Sequence, residues 1–361
     1  MNAEIAAAHD AIYKTLPQVV VGVDVEELMT IHTAADVDAM RPRLVAQVWK
    51  DTGVLPTGLP KVLRDVETPT ELPAFTGVRR YDRLEVSMPF GYVATVFLLE
   101  PRRRTHSRVA LYHNGHGEPL DTMQRTAQGL LDHGYTVLLF AMPFYHWNPK
   151  TLQDPTDPSV QQQPSHNDLG LWESESYSPL ALFLQPLAVA MNHVQATCKP
   201  SSVQMVGLSG GGWATTVYPA LDARITRSYP TAGSLPFFVR PGSPKPSPTR
   251  GDWEQRQDMQ PGFYGVADFP DIYALASVGR NRRQLQILNR FDECCFNGVG
   301  HRSYEAAVRQ RIAVIGTDAH SNDANGHWEL LEDPTHGEHT VSPYALSVIL
   351  WDLDINCAHL P

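Results

Sequence analysis

The sequence predicts an α/β protein: a mostly parallel, doubly wound sheet of about eight strands carrying a helical N-terminal extension. Three observations predict it. Short apolar runs alternate with segments of helical spacing from Tyr81 onward, the pattern of a sheet covered on both faces. One run, Val203-Gln204-Met205-Val206, leads through Gly207-Leu208-Ser209-Gly210-Gly211 into the helix-compatible segment Trp213 to Leu221, which reads as strand, tight turn and helix with a serine at the turn. Asp292 and a histidine-bearing loop each follow an apolar run, at the strand ends where active sites of open α/β sheets gather.

The elements follow in order. Residues 1 to 76 form the expected extension: Ala3 to Leu16 and Ala34 to Lys50 carry helical spacing, and Pro56, Pro60, Pro69 and Pro73 break what comes next. Such an arm stabilises the main domain, joins copies into a homo-oligomer, or covers the mouth of an active site. The main domain is expected over 77 to 361. Its strands are expected at Arg83 to Ser87, Tyr92 to Leu99, Val109 to His113, Thr136 to Phe140, Ser202 to Val206, Thr226 to Ser228 and Leu285 to Leu288, with a further apolar segment at Trp328 to Leu331. Helical segments lie at Thr122 to His133, Pro179 to Thr197, Tyr304 to Ile315 and Pro343 to Leu353. A short connection joins the first two strands, so the sheet opens antiparallel. Residues 143 to 177 and 230 to 270 read as long irregular loops, and loops of that length in a compact domain are lids or binding loops. Their aromatics suggest a pocket lining. Tyr145, Trp147 and Phe237, with Trp213 beside the serine turn, are the expected substrate-binding residues.

Charge and composition narrow the partners. Lys and Arg number 29 against 39 Asp and Glu, and the net charge of -10 repels phosphate backbones and anionic headgroups. Neither nucleic acid nor membrane is an expected partner. No stretch reaches the roughly 18 to 20 apolar residues of a membrane span, and the N-terminus lacks a basic region followed by an apolar one, so a cytoplasmic location is expected. Cys198, Cys294, Cys295 and Cys357 show no CxxC spacing, and the Cys294-Cys295 pair reads as buried packing. His320, His327, His336 and His339 match no helical pair or finger pattern, so no metal is expected. No Gly-Lys-Ser/Thr follows the serine turn, which argues against a phosphate loop.

A serine hydroxyl at neutral pH needs a base within hydrogen-bond reach and an acid that orients that base. Asp292, just past Leu285-Gln286-Ile287-Leu288, is the candidate acid. His339 is the candidate base, preferred over His336 because it lies nearer the helix start, where Ser342 and Pro343 read as N-cap and first helical residue. Acyl transfer also needs backbone N–H groups to meet the developing oxyanion. Gly210 is placed to supply one, and the loop His113-Asn114-Gly115-His116-Gly117 the other, with His116 first and Gly115 or Gly117 next.

At these residues the chain resembles the α/β-hydrolase superfamily, with Ser209, Asp292 and His339 in that superfamily's order, over about residues 80 to 361. The three-glycine turn followed by Ala220-Leu221-Asp222-Ala223-Arg224-Ile225 is most similar to the branch holding dienelactone hydrolases and acetyl xylan esterases. The resemblance implies Ser209 as nucleophile, Asp292 as acid, His339 as base, and Gly210 with the His116 region as oxyanion hole. It implies a serine esterase acting on a small-molecule ester without a cofactor, and the loop aromatics suggest an aryl or sugar ester. Dienelactone hydrolases use cysteine where this chain has Ser209, which favours ester cleavage through an acyl-serine intermediate. A serine peptidase or amidase would use the same machinery, but the roughly 75 residues before the main domain cannot form the propeller that many such peptidases carry. A non-catalytic binding protein on the same scaffold is the third reading, and separation of Asp292 or His339 from Ser209 would favour it.

Overall fold

Runs that stay apolar without alternation become the centre of the sheet, because a parallel strand covered on both faces has no wet side. Strands β4 (Val109–His113), β5 (Thr136–Phe140) and β8 (Val203–Leu208) are buried at every position. The computed structural model describes residues 11–103, 107–316 and 326–355. Among these, nine strands form one sheet in the order β1-β2-β3-β5-β4-β8-β9-β10-β11, with β1 at Lys61–Val66, β2 at Val78–Ser87, β3 at Val93–Pro101, β9 at Arg227–Thr231, β10 at Arg282–Asn289 and β11 at Gly326–Asp333. The first three strands pair antiparallel, as does β3 with β5; from β5 to β11 every pair is parallel. The register sets His113 beside both Phe140 and Gly207, which brings the loop after β4 alongside the serine turn after β8.

Two apolar layers cover the sheet. Helices α1 (Ala34–Val48), α3 (Leu180–Thr197), α4 (Gly210–Leu221), α5 (Phe269–Ser277) and α6 (Glu305–Gly316) hold one of them. Helices α2 (Leu120–Asp132) and α7 (Pro343–Ile355) hold the other. Helix α1 begins with a reciprocal cap between Thr33 and Asp36. Its Arg41 donates to the carbonyls of Pro219 and Ala220 at the end of α4 and of Leu275 in α5. Arg282 reaches the same two helix ends from β10, donating to Pro219, Leu275 and Val278. Positive charge there meets the negative end of each helix dipole. Burial pulls the two guanidinium groups down to about 10 for Arg41 and about 9 for Arg282, and both stay charged at neutral pH.

Three features depart from expectation. Strand β1 lies inside the segment expected as an arm and pairs with β2; its sequence, Lys-Val-Leu-Arg-Asp-Val, is charged and half exposed because it is an edge. Helix α5 starts where the irregular stretch was expected to end, with Asp268 as cap and Pro270 in the first turn, a position where proline starts a helix rather than breaking it. Inside the long loops stand a two-residue hairpin, β6 (Leu152–Gln153) with β7 (Gln161–Gln162), and 3-10 turns at His166–Trp172 and Trp253–Gln255. The expected Ala3 to Leu16 helix falls mostly outside the described residues, as do His320 and Cys357. No helix among the described residues is long and apolar enough to cross a membrane.

Candidate functional site

The serine turn is built by glycines that two neighbouring strands and the first turn of α4 require. A Cβ on Gly207 would sit 2.3 Å from the Gly211 carbonyl oxygen, one on Gly211 2.0 Å from the His113 oxygen, and one on Gly212 2.4 Å from the Thr231 oxygen. Squeezed between them, Ser209 adopts φ 59°, ψ -122°. A non-glycine residue held there costs on the order of 1–3 kcal/mol, and such strain gathers at functional sites. Ser209 is partly exposed, and its N–H is anchored to the Thr231 carbonyl at 2.9 Å.

Asp292 and His339 meet. The wholly buried Asp292 accepts the His339 Nδ1 hydrogen at 2.8 Å on Oδ2, so neutral His339 keeps its lone pair on Nε2. Its other oxygen, Oδ1, takes the backbone N–H groups of Cys294 and Cys295 at 2.8 and 3.2 Å, and Asn289 donates to Oδ2. Burial acts to lower the His339 pKa, but the bond and charge of Asp292 outweigh it and raise it above 6.5. His336 faces Asp333 and Glu338 instead. Among the described residues Ser209 Oγ makes no hydrogen bond, to His339 or otherwise. His339 Nε2 lies 4.0 Å from Cys295 Sγ.

The loop after β4 lies against the serine turn. A Cβ on Gly115 would sit 2.7 Å from the Leu208 oxygen and 3.4 Å from Ser209 Oγ, and one on Gly210 would strike the His116 ring. Glu118 holds this loop, accepting from the Gly115 N–H at 2.8 Å and the Tyr112 hydroxyl at 2.5 Å. Burial lifts the Glu118 carboxyl to about 7. The Gly115 N–H is therefore committed, whereas that of His116 has no acceptor among the described residues.

A cleft of about 1000 Å³ opens here, lined by His116, Glu118, Arg125, Glu293, Cys294 and His339 among others. It is polar. Of the expected substrate-binding aromatics, only Tyr145 comes near, its ring centroid 5.5 Å from that of His116. Trp213 is instead wholly buried, its ring on Phe183 and its N–H on the Tyr264 hydroxyl, because the helix turns that position into the core. Trp147 packs on Phe97 and donates to the Thr95 carbonyl, and Phe237 packs on Tyr264 and Phe269. Both secure loops to the body. Cys294 lines the cleft and so is not purely packing, while Cys295 is buried.

Sequence reading missed a second cluster. His116, His166, Asp252 and Glu254 bring one nitrogen or oxygen each within 4.8 Å of all the others. His166 and the two carboxylates lie in the long loops, where no periodicity marks them. Although burial acts to raise its pKa, the neighbouring His166 and His116 rings hold the Glu254 carboxyl below the usual carboxylate range. Of the four histidines weighed from spacing, His320 lies outside the described residues, and the other three face separate partners: His327 pairs with Glu329, and His336 and His339 with Asp333 and Asp292.

No protein-family model matches the chain, and no curated protein matches it either. Solved structures do. An acetyl xylan esterase from a Paenibacillus species is similar with TM-score 0.55 and 15% identity, covering 91% of this chain and 98% of that one. Acetyl xylan esterase 1 from a Thermoanaerobacterium species gives 0.56 and 13%, covering 91% and 97%. A glucuronoyl esterase from Solibacter usitatus gives 0.56 and 14%, covering 95% and 98%. With the strand order above, these likenesses establish the α/β-hydrolase fold.

Proposed function

We propose that this chain is a carboxylic ester hydrolase that works through an acyl-serine intermediate. Ser209 Oγ attacks the ester carbonyl while His339 Nε2 takes its proton; the same proton then goes to the leaving alcohol, and water, activated by His339, releases the acid and restores the serine. Asp292 fixes the Nδ1–H tautomer of His339 and supports its charge. The N–H groups of Gly210 and His116 receive the oxyanion. The observation that carries this reading is the 2.8 Å pairing of His339 with the fully bonded Asp292, on the same sheet edge as the strained Ser209.

The side chains lining the cleft support a substrate class. Its wall of carboxylates, Arg125 and histidines suits a hydroxyl-rich alcohol part better than a long aliphatic one. Acetyl xylan and glucuronoyl esterases share this fold, and we extend their kind of substrate, a carbohydrate ester, to this chain. The test is hydrolysis of p-nitrophenyl acetate and of an acetylated xylo-oligosaccharide by the wild type beside Ser209→Ala. Turnover in the variant should fall on the order of 10⁶-fold. Near-normal activity in the variant would overturn the mechanism.

A further inference from the structure

The loop cluster presents a hydrogen-bonding problem that protons alone do not solve. His166 Nε2 lies 2.9 Å from the Pro143 carbonyl oxygen, which can only accept, so that nitrogen carries the hydrogen and Nδ1 of the neutral ring points a lone pair into the cluster. There it meets His116 Nε2 at 2.9 Å. Glu254 Oε1 lies 3.2 Å from His116 Nε2 and Oε2 3.3 Å from His166 Nδ1, and Asp252 Oδ2 lies 3.4 Å from His116 Nε2. Yet neither oxygen of the wholly buried Glu254 receives an aligned hydrogen bond. A bare buried carboxylate is expensive.

These distances have a simple geometric meaning. Ligands bound at about 2.0–2.1 Å around a tetrahedral ion are separated by roughly 3.3–3.4 Å, close to the nitrogen–oxygen spacings found here. The donor set is two imidazoles and two carboxylates. Such a set suits zinc and its neighbours rather than calcium or magnesium. The His166 bond to a backbone carbonyl is the outer contact that metal-bound histidines habitually make.

We propose that His116, His166, Asp252 and Glu254 bind one divalent transition-metal ion, with zinc as the fitting class, which pins the two long loops to the loop after β4. The ion takes the place of the proton between the two rings, and its two positive charges balance the two carboxylates. Four protein ligands close the shell, so the ion holds structure. Its effect on the reaction is through position, since the His116 ring lies against Gly210.

The experiment uses the full chain stripped with a chelator and then titrated with zinc, reading metal content and melting temperature, and with cobalt, reading the strong visible bands of a tetrahedral complex. We expect about one zinc per chain and a melting temperature raised by several degrees. Asp252→Asn, at the most exposed ligand and least disruptive to folding, should weaken zinc by tenfold or more, and Glu254→Gln should abolish uptake. Ser209→Ala should bind zinc like the wild type, which separates failure of this site from failure of the esterase reading. The proposal is overturned if the stripped chain takes up neither zinc nor cobalt, or if folded Asp252→Asn binds as tightly as the wild type.

Discussion

Asp292 and Glu254 are both wholly buried carboxylates facing histidine rings, and they are provisioned differently. Asp292 receives two backbone N–H groups on one oxygen, and an amide and His339 on the other. Glu254 receives no aligned hydrogen at either oxygen. The first is finished without any added atom and leaves the second nitrogen of His339 facing only the Cys295 sulfur at 4.0 Å. The second, in the proposal above, is finished by a cation. A histidine beside a carboxylate is thus not one kind of site, and counting the remaining donors tells the two kinds apart.

The largest effect that would sharpen this contrast is chemical. Asp292→Asn should lower kcat by about 10⁴ through the wrong His339 tautomer while leaving zinc uptake intact. Glu254→Gln should lower kcat by only about 10- to 100-fold, in step with lost metal; equal losses in both variants, measured with one ester, would break the distinction. Next comes pH. In the proposed mechanism His339 acts as a base when neutral, and Asp292 raises its pKa above 6.5, so the acid limb of kcat should lie above that value. Asp292→Asn should move the limb down in whatever activity remains. The sign for stability is opposite: protonated His339 favours the fold fully below pH 6.5, and that contribution fades as pH rises through the raised value. Smallest is His336→Ala, which should change kcat by no more than about threefold. It should cost about 1 kcal/mol in unfolding experiments, since Asp333 keeps its bonds to Thr335 and Ser342. A large kcat loss there would return His336 to the role given to His339.

Legibility followed burial. Strands β4, β5 and β8 were readable because central parallel strands are apolar throughout, and β1 was not, because an edge strand looks like a charged loop. The meeting of Asp292 with His339 could be anticipated because both follow neighbouring parallel strands, so chain order fixes their place on the edge. Trp213 misled because proximity to Ser209 in sequence says nothing about which side of a helix faces the core. The second cluster was beyond reach for a different reason. His116 and His166 lie 50 residues apart, on segments whose path depends on tertiary packing, and only a histidine-carboxylate count within the two long loops could have hinted at it.

Arg41 also sets a schedule. The carbonyls that receive its guanidinium are made 178 to 234 residues later in the chain. At roughly 5–20 residues per second of synthesis, about ten to fifty seconds pass before they exist. Through that interval Met40, Leu44, Val45 and Val48 of the same helix have no finished surface to settle on. Helix α1 is therefore made long before the surface it settles on. Its apolar face waits for a finished surface until Arg282 and its neighbours emerge to join Arg41 at the same carbonyls.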